Sequence, residues 1–342
     1  MSSLNGDAAQ HRTQERLVSV VVPAYNEAQS LPQLYEEIAR TFEDGLDEFE
    51  VLIVDDGSSD ETPAVLHSML LEHGDHLQVI RLRRNFGKAA ALMEGFRSAR
   101  GTRIVMMDGD LQDSPSEVPK LLEMLDEGYD AVSGWKQKRK DSRRKRIASK
   151  LFNRAVNSIS VAQLHDHDCG LKALRAEAAR SLDLYGSLHR FMVPLLESNG
   201  YRVAEVPVEH RPRRFGCSKF GGARLLEGAF DFITVIFITR FRERPLHFFG
   251  FIGMSCSALG LGLGVYLTLY KVIGHHSIGT RPLLLLALVL IIVGVQLTAT
   301  GIIGEQLAAM PAATFGGREP GRVATLTNRA QREQPVGERK PD

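Results

Sequence analysis

The chain has 342 residues, 44% of them apolar and 24% charged, and 42 Lys and Arg set against 41 Asp and Glu leave a net charge of +1. That length holds one large domain with appendages, or two domains. The three cysteines, Cys169, Cys217 and Cys256, have no paired spacing and no CxxC, so neither a disulfide framework nor zinc is indicated, which suits a reducing compartment.

Met1 to Arg16 is polar and lacks an apolar core, so it reads as a disordered tail and not as a secretory signal. From Leu17 strand and helix signals alternate. Strands are expected at Leu17–Val22, Glu50–Val54, Leu77–Leu82, Arg103–Met107 and Asp130–Ser133. Helices are expected at Leu31–Phe42, Thr62–His73, Lys88–Ala99 and Ser116–Glu127. This βαβα pattern predicts an α/β fold with a doubly wound, mainly parallel sheet. Ligands of such sheets bind beyond the carboxyl ends of the strands. Polar clusters stand at four of those ends: Pro23–Glu27, Asp55–Asp60, Arg84–Lys88 and Asp108–Asp113. There is no GxGxxG after the first strand and no GxxxxGK[ST] anywhere, which excludes a dinucleotide fingerprint and a P-loop.

The cluster Asp108-Gly109-Asp110-Leu111-Gln112-Asp113 follows the apolar run Ile104–Met107. Two carboxylates one residue apart at a strand end suit Mg²⁺ or Mn²⁺, hard cations that share their shell between carboxylates and substrate phosphates. An acidic surface turn would have the same composition. In Val54-Asp55-Asp56-Gly57-Ser58-Ser59-Asp60 a carboxylate would repel a diphosphate, so these acids need donor partners: base N–H groups, ribose hydroxyls or a metal. An Asx turn with a helix N-cap is the plainer reading of Ser59 and Asp60.

Lys136, Lys138, Arg139, Lys140, Arg143, Arg144, Lys145, Arg146 and Lys150 crowd one segment. Such a run attracts polyanions, anionic lipid or phosphorylated substrate, unless it is simply a solvated helix face. A helix follows at Arg143–Ser160, another at Leu188–Ser198, and a strand at Tyr201–His210. Arg211–Gly222 is a basic loop, and Ala223–Phe241 is an amphipathic stretch that suits either a membrane surface or a core helix of the domain. His165 and His167 lack acids at ligand spacing and read as ordinary surface residues. Phe248–Tyr270 and Pro282–Gly304 carry no charged side chain. Each is about 23 residues, roughly 35 Å of helix, enough to cross a bilayer core of about 30 Å. Arg240, Arg242 and Arg244 precede the first span, while the connecting loop holds only Lys271 and Arg281 as fixed cations. An N-terminus without a signal and two spans lead us to expect the polar domain and both termini in the cytosol, with a multi-pass hairpin in the cytoplasmic membrane, and the charge bias agrees modestly. The expected layout is a tail at 1–16, a catalytic domain at 17–220, a juxtamembrane helix at 221–244, spans within 245–306 (about 247–270 and 282–304) and a disordered tail at 307–342.

Six motifs in order carry a resemblance. They are Val22-Pro23-Ala24-Tyr25-Asn26-Glu27, the Val54–Asp60 run, Arg84-Asn85-Phe86-Gly87-Lys88, the Asp108–Asp113 run, Leu188-His189-Arg190-Phe191 and Gly216-Cys217-Ser218-Lys219-Phe220-Gly221. Together with the two spans they resemble inverting nucleotide-sugar transferases of the GT-A fold, most closely the polyprenyl-phosphate glycosyltransferases. That group includes bactoprenol glucosyltransferases and dolichyl-phosphate mannose synthases. Gly109 stands where Ala is commoner, and Ser114-Pro115-Ser116 replaces a Pro-Pro turn; neither removes a ligand.

The resemblance implies a GT-A catalytic domain, an interfacial helix and a transmembrane hairpin. It implies transfer of one sugar from a nucleotide sugar, UDP-glucose or a similar UDP- or GDP-hexose, to a polyprenyl phosphate such as undecaprenyl phosphate, with inversion. Pro23, Ala24, Tyr25, Asn26, Glu27, Asp55, Asp56, Lys88, Asp108 and Gly109 would hold the nucleotide sugar. Asp108, Asp110 and Gln112 would hold Mg²⁺ or Mn²⁺. Arg139, Arg146, Arg190, Arg214, Ser218 and Lys219 would bind the lipid phosphate, and Asp110, Arg190, Lys219 and Asp168 would carry the chemistry. Partners are the two substrates and the bilayer; the resemblance admits a homo-tetramer, and no nucleic acid is expected. Two alternatives stay open: an inactive membrane scaffold for anionic partners, and a transferase with a hydroxyl acceptor deprotonated by Asp168. A processive polysaccharide synthase is disfavoured, because its Gln-x-x-Arg-Trp motif is missing and Trp135 is the only tryptophan.

Overall fold

The computed structural model describes residues 17–43, 45, 47–137, 150, 152–212, 223–241, 244–274, 282–308 and 323–327. The run of β-branched residues in β1 (Leu17–Ala24) is almost wholly buried, as a strand covered on both faces must be. It pairs in parallel with β2 (Glu48–Asp55) on one side and β4 (Arg103–Met106) on the other. β2 pairs in parallel with β3 (Leu77–Leu82). The linking helices are α1 (Leu31–Glu43), α2 (Thr62–His73) and α3 (Lys88–Ser98). α1 buries Leu31, Leu34, Tyr35, Ile38 and Phe42, one face at helical spacing. The chain thus winds outward from β1 through β2 to β3 and then returns to β1's other flank as β4. That reversal is the switch point where doubly wound sheets open a crevice, and it lies between the Pro23–Glu27 and Asp108–Asp113 clusters.

After a 3₁₀ turn at Pro115–Glu117 come α4 (Val118–Asp126) and β5 (Ala131–Lys136), which runs three residues beyond the expected strand. β6 (Lys172–Arg175) wedges between β4 and β5, antiparallel to both. Neither it nor α5 (Ala176–Ser181) is expected from the sequence. The stretch expected as one helix from Leu188 is a 3₁₀ turn, Leu188–Phe191, continuing into α6 (Met192–Ser198). β7 (Val203–Val208) then pairs in parallel with β5. Of the basic helix expected at Arg143–Ser160, residues 152–157 are helical and most of the basic half lies outside the described residues.

An eighth strand closes the other edge. β8 (Val323–Thr327) runs antiparallel to β3, giving the order β7-β5-β6-β4-β1-β2-β3-β8. The reading of 307–342 as disordered therefore does not hold for these five residues. Val-Ala-Thr-Leu-Thr alternates β-formers, a local signal submerged in a tail that is polar on average.

The chain divides into two units, Met1–Phe232 with Glu319–Asp342, and Ile233–Arg318. α7 (Ala223–Arg240) straddles the division and exposes Phe230 and Ile233. Within the second unit α8 (Pro245–Gly274) and α9 (Pro282–Ala308) are long enough and apolar enough to cross a membrane. They meet through small residues. A Cβ on Gly253 would lie 2.6 Å from the Gly294 carbonyl, and one on Gly260 would lie 2.8 Å from the Ala287 carbonyl. Close backbone approach of this kind is how helices associate where lipid removes the hydrophobic drive. Their outward faces carry exposed Leu285, Leu288 and Ile292.

Candidate active site

Two loops at the carboxyl ends of β1 and β2 are locked together. Asn26 has a φ of 60°, a conformation Asn tolerates. Its N–H donates to Ser58 Oγ at 2.9 Å, and its Oδ1 accepts the Ser59 N–H at 2.9 Å. The Glu27 N–H donates to Thr62 Oγ1 at 3.0 Å. Asp55 Oδ1 accepts the Ser58 N–H at 2.8 Å, and Asp55 Oδ2 faces Arg81 at 3.3 Å. Asp56 accepts the N–H groups of Phe86 and Gly87 at 2.7 and 2.8 Å, one on each oxygen. Burial pushes the Asp56 carboxyl above the usual range, against the pull of those two donors. Asp56 of the second cluster thus fixes the Arg84–Gly87 loop, where Arg84 stacks on Phe86 at 4.3 Å. Pro23 and Tyr25 flank buried Ala24 on the same rim.

That loop delivers Lys88, the first residue of α3, to the end of β4, where its Nζ donates to Asp108 Oδ1. Burial alone would weaken both charges; Lys88 and Asp108 overcome it for one another. The Asp108 carboxyl is held down at about 2, with Lys136 and His189 adding to the pull of Lys88. The Lys88 ammonium is held up by Asp108, with Asp168 and Asp113 helping. Gly109 and Asp110 are buried beyond Asp108. Asp110 Oδ1 accepts the Gln112 N–H at 3.2 Å. Leu111 between them has a φ of 61° with its side chain buried. A left-handed Leu costs about 1–2 kcal/mol, and such strain persists where packing overdetermines it, commonly at functional sites.

Asp113, buried, pairs with Lys136 Nζ at 2.7 Å, and this carboxylate holds the Lys136 ammonium above its usual range despite burial. The backbone of Asp113 bridges to His210 after β7, the Arg211 N–H donates to Gln112 O at 2.9 Å, and the Arg211 guanidinium ties Glu37 to Ser114. Antiparallel β6 supplies the opposite wall. Lys172 sits beside Met106 in register, so the residues before it are carried to the end of β4. A Cβ on Gly170 would lie 2.6 Å from Asp108 Oδ2 and 2.7 Å from Asp113 Oδ2. Buried Lys172 donates to the carbonyls of His167 and Cys169 and so pins this turn; burial lowers its pKa and pushes the Cys169 thiol up to about 12. Asp168 Oδ1 accepts from Arg190 Nε at 3.3 Å, and the guanidinium lies 4.7 Å over the Phe152 ring. His189, beside Lys88, has its pKa lowered to about 4, by burial first and by Lys88 second.

The structure therefore brings together Lys88, Asp108, Asp110, Gln112, Asp168 and Arg190 from the sequence-derived set. Asn26, Glu27, Asp55 and Asp56 serve the loops around them. Arg139, Arg146, Arg214, Ser218 and Lys219 lie outside the described residues. Asp113, Lys136, Gly170, Lys172 and His189 join the site although the site sets drawn from sequence omit them; for Asp113 and His189 their place in the motifs was a usable signal. Among the described residues no three His, Cys, Asp or Glu side chains form a metal cage. The donor set is Asp108 and Asp110 on one turn, hard oxygens with one oxygen of each engaged by Lys88 or the Gln112 N–H. That set fits a divalent cation whose shell a diphosphate completes.

Residues 19–182 match glycosyl transferase family 2. A dodecaprenyl-phosphate galacturonate synthase of Rhizobium johnstonii is 36% identical, over 85% of this chain and 87% of its own length. An undecaprenyl-phosphate 4-deoxy-4-formamido-L-arabinose transferase of an Enterobacter species is 35% identical, over 85% of this chain and 88% of its own. Among solved structures, glucosyl-3-phosphoglycerate synthase of Mycobacterium tuberculosis, in complex with Mn²⁺, UDP-glucose and phosphoglyceric acid, shares the fold with a TM-score of 0.51 at 21% identity, covering 66% of this chain and 79% of that one.

Proposed function

We propose that this chain, which belongs to glycosyl transferase family 2 and to its polyprenyl-phosphate glycosyltransferases, moves one sugar from a nucleotide sugar to a polyprenyl phosphate at the cytosolic face of the cytoplasmic membrane. The observation that carries the reading is the convergence of Asp108, Asp110 and Lys88 at the switch point of the sheet, with Arg190 facing the same turn through Asp168. Relatives named for dodecaprenyl and undecaprenyl phosphates match over 87% and 88% of their own length.

Mg²⁺ or Mn²⁺ held by Asp108 and Asp110, with Gln112 adjoining, would neutralise charge on the departing diphosphate. The chain's own side chains do the rest. Lys88 offers a point charge to the diphosphate, and Arg190 a fork suited to phosphate. The acceptor phosphate has a second pKa of about 6, so it is largely a dianion at neutral pH. It needs positioning and charge control, not a general base. The sequence resemblance assigns Arg139, Arg146, Arg214, Ser218 and Lys219 to the same acceptor phosphate. The ion pair of Asp168 with Arg190 supports an orienting role for Asp168 and speaks against the hydroxyl-acceptor alternative.

α8 and α9 form the membrane hairpin in this reading, and α7 the interfacial helix. Both termini then lie in the cytosol, and the pairing of β8 with β3 supports this, since it returns the chain beyond α9 to the catalytic sheet. The test is to supply the purified chain with undecaprenyl phosphate, Mg²⁺ and a panel of labelled UDP- and GDP-sugars. Label should enter lipid from one donor and cease with EDTA; absence of lipid label from every donor overturns the assignment.

A further inference from the structure

Three acids around the Asp108–Asp113 turn each face a base. Asp108 faces Lys88, Asp113 faces Lys136 at 2.7 Å, and Asp168 faces Arg190 at 3.3 Å. The pairs differ in exposure, and exposure decides which can change partners. The side chains of Asp113 and Lys136 are 1% and 11% exposed. Separating them would leave a buried charge uncompensated, so that pair is fixed. Those of Asp108 and Lys88 are 33% and 30% exposed, and water can take over either partner.

The setting of Lys88 suits exchange. Its backbone is fixed, because Asp56 holds the two preceding N–H groups. Beside it the chain opens: a Cβ placed on Gly87 would meet nothing within 4 Å. A four-carbon stem on an anchored base, with space alongside, can swing without moving the helix. Asp108 in turn is the first acid of the turn proposed to hold the cation, so the ammonium stands as a resident competitor for the same carboxylate.

We propose that Lys88 and Asp108 form an exchangeable ion pair that couples cation binding to diphosphate binding. Without ligands Lys88 neutralises Asp108 and keeps divalent cations weak at the turn. When the nucleotide enters, Lys88 turns to its diphosphate and frees the carboxylate for the cation. Each ligand then raises the affinity of the other, by the same factor in both directions. The site avoids filling with cation alone, and donor and metal load together. This inference rests on the reading of the turn as a metal and nucleotide site.

The test uses the full chain in detergent, with no sugar and no lipid. Binding of Mn²⁺ is followed by loss of the free-ion electron paramagnetic resonance signal, alone and with saturating UDP or GDP. Lys88→Met should bind Mn²⁺ alone at least about fivefold more tightly than the parent, the low end of typical coupling. In that variant the factor by which nucleotide tightens Mn²⁺ should fall by a similar amount. Lys88→Arg, which keeps the charge, should behave as the parent. Lys88→Gln serves the same comparison should the Met variant not fold. Unchanged or weaker Mn²⁺ binding by the uncharged variants, with nucleotide still tightening Mn²⁺ in the parent, overturns the exchange and leaves the site reading standing. Failure of the parent to bind Mn²⁺ even with nucleotide overturns both.

Discussion

Asp110 lies 8% exposed between a left-handed Leu111 and the end of β4, with Oδ1 already accepting the Gln112 N–H. Asn at this position can keep that acceptor, but it loses the charge and replaces the second oxygen with an NH2 group that cannot ligate a cation. Asp110→Asn should therefore retain its fold by circular dichroism and lose about 10²-fold or more in transfer, the scale for removing one preorganised electrostatic contact. Undiminished transfer by this variant in EDTA-treated membranes would refute the metal assignment. His167 makes a different prediction, about stability. Contrary to the surface position expected from sequence, it is fully buried, its Nε2 contacts Asn157 Oδ1 at 2.6 Å, and burial followed by the Lys172 charge lowers its pKa to about 4. The unfolded chain takes up this proton near pH 6.5 and the folded chain only near 4. Between those values the unfolded state binds more protons, so stability falls as pH falls. The loss reaches at most about 3 kcal/mol from this residue. Thermal midpoints of the detergent-solubilised chain at pH 7, 6 and 5 should decline less steeply in His167→Gln, which keeps a donor for Asn157. Parallel curves for variant and parent would show that His167 does not carry this dependence.

The same pocket is assembled by elements of unequal visibility. β1 to β4 are legible because each is a buried apolar run, and a strand buried on both faces reads as such; the polar residues that follow each run are then strand ends by necessity. β6 is not legible. Lys-Ala-Leu-Arg is four residues with two charges, and it is a strand because antiparallel neighbours on both sides complete its hydrogen bonds. Only that placement brings Gly170 against Asp108 and Asp113, and only tertiary structure shows it. The consequence is testable. A methyl group on Gly170 would lie 2.6 and 2.7 Å from two carboxylate oxygens, and Lys136 prevents Asp113 from yielding. Asp108 must give way instead. Gly170→Ala should cut transfer at least about tenfold, the scale of a misplaced reacting group, while UDP or GDP binding without metal changes less. Wild-type transfer by Gly170→Ala would mean that the Asp108 carboxylate can move without consequence. The basic segments around Arg146 and Lys219 were legible as charge patterns alone, since charge predicts attraction to anions but not the direction of a side chain.

At the scale of the whole chain the question is which side of the membrane each segment occupies. α8 and α9 have 30 and 27 residues, about 45 and 40 Å of helix, each sufficient for a bilayer core of about 30 Å. Were only one to cross, residues after α9 would lie across the membrane from β3. The proposed topology instead predicts an even number of crossings, because Val323–Thr327 hydrogen-bonds to β3 in the catalytic sheet, and two apolar helices packed through glycines make two the number to test. Single cysteines at Ser2, Ser277 and Gly337 test it. The background replaces Cys217 and Cys256. It keeps Cys169, whose buried thiol is pushed up to about 12 and stays inert to a thiol reagent. In intact cells a membrane-impermeant maleimide should label only Ser277→Cys; after the membrane is opened, all three should react. Labelling of Gly337→Cys but not Ser2→Cys in intact cells would place the C-terminus outside. β8 could not then join the sheet that holds Asp108, and the hairpin would have to be redrawn as a single span.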